Sequence, residues 1–419
     1  MRNVYILGAG ASEGAGLPLM SNFLERAKDL TGIRKEPFFR WGYDILNKDR
    51  EKFLNSLAWY FQYKWMRRAK IERTEDGKVI KVSFGKKWLS LILNNERVEL
   101  NFENGRTGKF IAKKENGELN IYKWDDFDDI WEYINVHKLE NFNIEDIFGY
   151  LEMKIDINSL DSDKNEDVHI RNLVLELIEK VIKWSYDYSD EEKVSKYSML
   201  LEKFVKKLKN DTIISFNYDV LIDDCLDKNG LSPDYGATFE NKESSKSDIQ
   251  LIKLHGSLNW KICPECKKPI RLNYDYLTER RSKSATKTEY DVNDLLSNIL
   301  TICPKKHNRS YMIENTLIAP PSYIKNVPHF REVINELRKS ASEKLKIAEK
   351  IIFIGYSLPQ TDTYFKYLLL SSLPEKEFSV EVVDPNPQNI AGRYFETFKK
   401  NDISFRAMKF EDYIPSIPE

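Results

Sequence analysis

The stretch that decides the fold is Arg2-Asn-Val-Tyr-Ile-Leu7, followed by Gly8-Ala-Gly-Ala-Ser-Glu-Gly-Ala-Gly16 and Leu17-Pro18. The apolar run Val4 to Leu7 reads as a short buried strand, and the glycines end it abruptly. Ser21 is placed to cap a helix that starts at Phe23-Leu24. Strand, glycine loop and helix in that order open an α/β sheet.

Outward from there the pattern stops, then returns. Residues 37–66 and 125–153 carry Trp, Tyr, Phe and Leu at helical spacing. Between them Val79–Phe84 and Arg97–Phe102 alternate like strands, and Asn104-Gly105 and Asn116-Gly117 supply turns, which predicts a small β-meander. Val194, Tyr197, Leu200, Leu201, Phe204, Val205 and Leu208 make one apolar helix stripe, with a solvated lysine face at 206, 207 and 209. Alternation resumes with Thr212–Phe216, Ile249–Leu254, Thr316–Ala319, Lys350–Ile354, Ser379–Val383 and Ile403–Arg406 as strands, with helices at 220–226 and 329–348. The predicted class is α/β, a Rossmann-like doubly wound parallel sheet that is discontinuous in sequence. Residues 1–30, 210–259 and 311–419 form its core, 31–209 a large, mainly helical insertion, and 260–310 a small zinc-type module.

The length of 419 residues allows two to three units at about 150 residues per domain. Lys+Arg 65 against Asp+Glu 66 leaves a formal charge of -1, so no global basic field draws the chain onto nucleic acid. No apolar run approaches the roughly 18 residues that span a bilayer, so a cytoplasmic protein without direct nucleic-acid or membrane contact is expected.

Three strand ends carry groups with chemistry. The loop at 8–16 brings backbone N–H groups and a helix N-terminus toward a pyrophosphate, or serves only as a tight turn. In Phe216-Asn217-Tyr218-Asp219, Asn217 can hold a ribose hydroxyl or a water and Asp219 can accept from a carboxamide; the alternative is an Asx turn that caps the next helix. His255, before Gly256, is suited to proton transfer near neutral pH, or is a structural turn residue. Three such sites on one sheet favour the functional readings together. Separately, Cys263-Pro-Glu-Cys266 and Cys303-Pro-Lys-Lys-His307 offer three thiolates and an imidazole at spacings that suit structural Zn2+, with reduced free thiols as the alternative. Cys225 reads as a core residue.

These motifs, in this order, resemble the sirtuin family: Gly8-Ala-Gly-Ala-Ser12 with Ala15-Gly16-Leu17-Pro18, then Asn217 and Asp219, His255-Gly256, the Cys-x-x-Cys, Gly355-Tyr-Ser-Leu-Pro359 and Val382-Val-Asp384. The resemblance implies that Gly8, Ala9, Gly10, Ser12 and Gly355 surround the pyrophosphate of NAD. It places Ser357 against phosphate and ribose, and Asp384 on the adenosine ribose. It makes Asp219 the carboxamide partner, Asn217 the holder of ribose or water, and His255 the general base toward a ribose hydroxyl.

Two departures point away from a protein deacylase: Leu19-Met-Ser-Asn-Phe23 lacks the family's Asp and Arg, and Ile318-Ala-Pro-Pro-Ser-Tyr-Ile-Lys325 replaces a peptide-clamping Phe-Gly-Glu. The chain is closer to the bacterial sirtuin-like NAD hydrolases of anti-phage defence. That implies cleavage of NAD to nicotinamide and ADP-ribose, and restraint by a homo-oligomer or a regulatory partner such as an ATPase or Argonaute-type sensor. A lysine deacylase or ADP-ribosyltransferase, and a non-enzymatic module that senses NAD or ADP-ribose, are the alternatives.

Overall fold

A computed structural model describes residues 2–33, 39–42, 69–73, 79–84, 87–94, 97–102, 107–115, 118–123, 126–157, 164–187, 189–208, 210–239, 249–262, 268–271, 316–319, 331–399 and 403–418. The chain divides into two compact units, Met1–Arg26 with Asn141–Glu419, and Ala27–Glu140. Residues 141–209 fall in the same unit as the strands Asn3–Leu7, Thr212–Ser215 and Lys350–Ile354.

That sheet has seven strands in the order Pro233–Asp234, Ile249–Lys253, Thr212–Ser215, Asn3–Leu7, Lys350–Ile354, Ser379–Asp384, Ser404–Ala407. Every neighbouring pair is parallel. Its central strands are near-continuous apolar runs because helices cover both faces of such a sheet; Val4, Ile6, Ile213, Ile214, Ile351 and Phe353 are all buried. The chain leaves Asn3–Leu7 toward Thr212–Ser215 on one side and returns through Lys350–Ile354 on the other. The crevice of an open sheet lies where the winding reverses in this way.

The helix Glu191–Lys207 lays Val194, Tyr197, Leu201, Phe204 and Val205 into the core, while Asp190 caps it by accepting from the N–H groups of Glu192 and Lys193. Lys206 is exposed, as expected of a solvated face, whereas Lys207 is half-buried and donates to the Ile414 and Ile417 carbonyls, and Lys209 lies outside the described residues. The helix Arg331–Lys346 buries Val333, Ile334, Leu337, Ala341 and Leu345 in the same core. Cys225 is also buried there, and its burial pushes the thiol up to about 11, which keeps it inert.

Several local expectations need correction. Thr316–Ile318 does not join the parallel sheet: it pairs antiparallel with Gly256–Ile262, which also pairs with Pro269–Arg271, in a separate three-stranded sheet. Ser21 does not cap the helix Phe23–Ile33; a 3-10 turn at Met20–Asn22 precedes it, and Asn22 Oδ1 accepts from the Leu19 N–H at 2.8 Å. Asn143 does act as a cap, accepting from the Asp146 N–H at 2.9 Å.

In the second unit the β content exceeds a small meander. Seven antiparallel strands run in the order Phe39–Gly42, Glu118–Lys123, Thr107–Glu115, Arg97–Phe102, Lys87–Asn94, Val79–Phe84, Ala69–Arg73. Glu115 pairs with Glu118 in this sheet, while the expected turn residues Asn104-Gly105 and Asn116-Gly117 lie outside the described residues. Phe39–Gly42 is a strand where helix was expected: its Phe-Arg-Trp-Gly alternation has period two, which the surrounding aromatic richness hides. Among the described residues no helix is long and apolar enough to cross a membrane.

Candidate active site

The glycine loop and the turn after Lys350–Ile354 are built against each other. The N–H of Gly8 donates to Ile354 O, that of Gly10 to Gly355 O, and that of Gly355 to Val383 O, each at 3.0 Å. Gly355 has φ +56, and a Cβ there would lie 2.4 Å from the Ala11 nitrogen, so only glycine fits. Ala11 N–H returns to Gly8 O at 2.9 Å and Ser12 N–H to Ala9 O at 3.0 Å. Four of the five N–H groups from Gly8 to Ser12 are therefore spent inside the protein. The loop also forms part of the cavity wall through Gly8, Ala9, Gly10, Ser12 and Glu13. The Tyr197 hydroxyl, on the helix Glu191–Lys207, donates to Ala11 O and pins the back of the loop.

Ser12 links this loop to the end of the strand Thr212–Ser215. Asn217 Nδ2 donates to Gly8 O and to Ser12 Oγ, both at 2.9 Å, and Ser12 Oγ donates to Asp219 Oδ2 at 2.7 Å. The Gly8 carbonyl can only accept, so it fixes the orientation of the Asn217 amide. The other Asp219 oxygen accepts from the Leu221 N–H at 3.1 Å, which is the Asx turn of the structural alternative. Both oxygens of the carboxylate expected to receive a carboxamide thus already hold protein donors. Burial raises the Asp219 carboxyl above its ordinary range, against the opposing pull of Lys253 and the Ser12 hydroxyl.

Beneath Asp219 lies a buried ionic cluster. Lys253 Nζ donates to Asp223 Oδ2 at 3.0 Å, to Ser257 Oγ at 2.6 Å and to the Asp219 carbonyl. Asp223 also accepts from the Tyr235 hydroxyl at 2.5 Å and from Asn259 Nδ2 at 3.3 Å. Burial alone would raise the Asp223 carboxyl, but Lys253, Tyr235 and Arg271 outweigh it and hold it low.

His255 is delivered by a turn between two strands. Leu254 N–H donates to Ser215 O at 3.0 Å, Ala319 N–H to His255 O at 2.8 Å, and Leu258 N–H to Tyr218 O at 2.9 Å. Gly256, at φ +80, sits where a Cβ would come 2.0 Å from Leu317 O. The imidazole stands edge-on to Phe216 at 4.9 Å between centroids, with Tyr218 at 6.0 Å. Its Nε2 lies 3.2 Å from Asp362 Oδ1, with both side chains largely buried.

These groups line one cavity of about 820 Å³ at the carboxyl ends of the strands. Its wall includes Ala9, Ser12, Asn217, Asp219, His255, Ser357 and Asp384, so nearly every site residue expected from the sequence meets in one place. At the far end Asp384 Oδ1 accepts from the Asn386 N–H at 2.8 Å, and Arg393 donates to Ser357 O at 3.0 Å. Asn143 and Glu145, from the segment after 140, also reach the wall.

Residues 211–392 match the family model of the SIR2-like domain. The matched SIR2-like segment holds Asn217, Asp219, His255, Gly355, Ser357 and Asp384; the glycine loop lies outside it and is joined to it by the hydrogen bonds above. Two solved structures align at low identity. One is described as the structural basis of sirtuin substrate affinity: it is 12% identical with a TM-score of 0.30, over 99% of this chain and 92% of that one. The other is a crystal structure of Sir2 with the inhibitor EX-527, 2'-O-acetyl-ADP-ribose and a deacetylated p53 peptide: it is 15% identical with a TM-score of 0.26, over 55% and 80%. No curated protein matches the chain.

Sequence reading of the SIR2-like segment missed Asp362 and Arg393, although both line the cavity. Asp362 follows Pro359 by three residues, in the turn that Leu358 enters at φ +49, a left-handed conformation rare outside glycine. The expected zinc ligands Cys263, Cys266, Cys303 and His307 lie outside the described residues.

Proposed function

We propose that the chain binds NAD in this cavity and cleaves the bond between nicotinamide and ribose, with water as acceptor, to give nicotinamide and ADP-ribose. The observation that carries the reading is the convergence of Asn217, His255, Ser357 and Asp384 on one cavity at the sheet's crevice, within a SIR2-like segment. Asp384 takes the adenosine ribose hydroxyls, and Arg393, held on the Ser357 carbonyl, adds positive charge beside the phosphates.

The glycosidic bond breaks with its electron pair leaving on nicotinamide, and positive charge develops on the ribose. Fixed dipoles aimed at that charge stabilise it most in a partly dry site. The Asn217 amide is locked by the Gly8 carbonyl, so its oxygen is held ready for a ribose hydroxyl or the attacking water. Water oxygen bonds to the ribose carbon, and the proton it releases passes to His255 by way of the ribose hydroxyl toward which His255 acts as general base. Asp219 serves as the latch that holds Ser12 and, through it, the Asn217 amide.

Depletion of cellular NAD is the outcome this chemistry produces, and an abortive-infection effector is the biological role we assign to it. The test is to incubate the full chain with NAD and resolve the products, with and without an acetyl-lysine peptide. Nicotinamide and ADP-ribose are expected without peptide, and Asn217→Ala and His255→Ala each reduce turnover by about 10²-fold or more. O-acetyl-ADP-ribose formed only with peptide would refute hydrolysis.

A further inference from the structure

We infer that Asp362 is the positioning residue of His255, a carboxylate that sets which imidazole nitrogen carries the proton and how basic the ring is. Three observations meet at this pair. Asp362 Oδ1 lies 3.2 Å from His255 Nε2. Its other oxygen accepts from the Tyr356 hydroxyl at 2.8 Å. The Tyr356 ring in turn stacks on Phe216 at 4.4 Å, the same ring against which His255 stands. Carboxylate, imidazole and both aromatic rings are thus held by one packed cluster.

The Tyr356 hydroxyl is a donor here, since burial and the neighbouring Asp362 raise it well above its ordinary range and keep its proton in place. With one oxygen accepting from Tyr356, the remaining Asp362 oxygen is matched to a proton on Nε2, so the basic lone pair of the neutral ring sits on Nδ1. A carboxylate on one nitrogen also stabilises the charge that the ring acquires when it takes a proton on the other. Among the described residues, the ring faces Asp362 and Tyr356 from the turn after Lys350–Ile354, and Phe216 and Tyr218 after Thr212–Ser215. Glu145, from the helix Ile144–Ile157, reaches Tyr218 and Tyr356 electrostatically. Of these groups, Asp362 is in direct contact with Nε2.

The pairing itself is independent of substrate, while its use in turnover rests on the NAD-cleavage reading. The experiment separates the two. The full chain is labelled at the histidine ring carbons, and His255 is followed by NMR through a pH titration, with His255→Gln to assign its signal. In Asp362→Asn the midpoint of the His255 titration falls by roughly one pH unit, because the negative charge beside the imidazolium is gone. Asp362→Glu, which keeps the charge, recovers part of the fall. Coincident midpoints in the unsubstituted chain and Asp362→Asn overturn the inference, whatever NAD does.

In parallel, nicotinamide release by Asp362→Asn drops about 10²-fold or more in kcat with KM little changed, and the acid limb of its pH profile moves to lower pH. A normal kcat and an unmoved acid limb in Asp362→Asn, beside an active parent chain, also overturn it. A chain that shows the Asp362-dependent titration but releases no nicotinamide supports the pairing and refutes the NAD reading alone.

Discussion

At the scale of single residues, the most consequential side chain outside the cavity wall is Lys253. Its ammonium and the Asp223 carboxylate are 2% and 1% exposed, so removing either strips the other of its direct ion-pair partner in a buried site. Lys253→Met therefore costs about 3–5 kcal/mol in urea unfolding, and a second substitution, Asp223→Leu, restores part of it. The two aspartates nearby respond to pH in opposite senses. Asp223 is held low, so its contribution is present above the ordinary carboxylate range and is lost as pH falls through the depressed folded value. Asp219 is raised, so the folded state binds the extra proton and stability falls as pH rises through its raised value. Asp219→Asn removes that loss, and its stability against pH is flatter than the parent's on the rising side. Equal slopes for the two proteins would show that Asp219 is not burdened by burial.

At the scale of elements, two strand-to-helix turns act as one part. Gly8 and Gly10 meet Gly355 through backbone hydrogen bonds, and the strand Ser379–Asp384 extends the chain of contacts through the Val383 carbonyl. Gly355→Ala needs a left-handed alanine, which costs about 1–2 kcal/mol, and also drives a methyl group into the Ala11 nitrogen. Destabilisation of about 3 kcal/mol or more is expected. Calorimetry with and without ADP-ribose reads both this loss and the accompanying loss of binding. A full-strength response to ADP-ribose in Gly355→Ala would mean that the loop keeps its shape without the interlock.

At the scale of the whole molecule, the cavity unites residues from positions 8 to 410, so occupancy by a ligand ties distant parts of the chain together. A ligand that binds only the folded state adds about 2.7 kcal/mol at a hundred times its dissociation constant. ADP-ribose is expected to raise the Tm of the full chain, and Asp384→Ala to reduce the rise at equal ligand concentration. An identical rise in the variant would remove Asp384 from the ribose site.

The sequence by itself determined the parallel sheet and the position of the cavity, because buried parallel strands are continuous apolar runs and their ends carry the glycines, Asn217 and His255. The family resemblance named Ser357 and Asp384, and both line the cavity. What the sequence could not announce were contacts between side chains far apart along the chain. Asp362 beside His255, Arg393 on the Ser357 carbonyl and Lys253 under Asp219 exist only once the strands are in register. The same holds for the spending of the loop's N–H groups, since the Gly355 carbonyl that receives Gly10 comes from a strand laid beside it by the returning chain. Local pattern records which residues are buried and where a strand stops, because those follow from neighbours along the chain. Which polar partners meet was decided by the tertiary structure, because a hydrogen bond depends on ångström-scale distance and direction rather than on order in sequence.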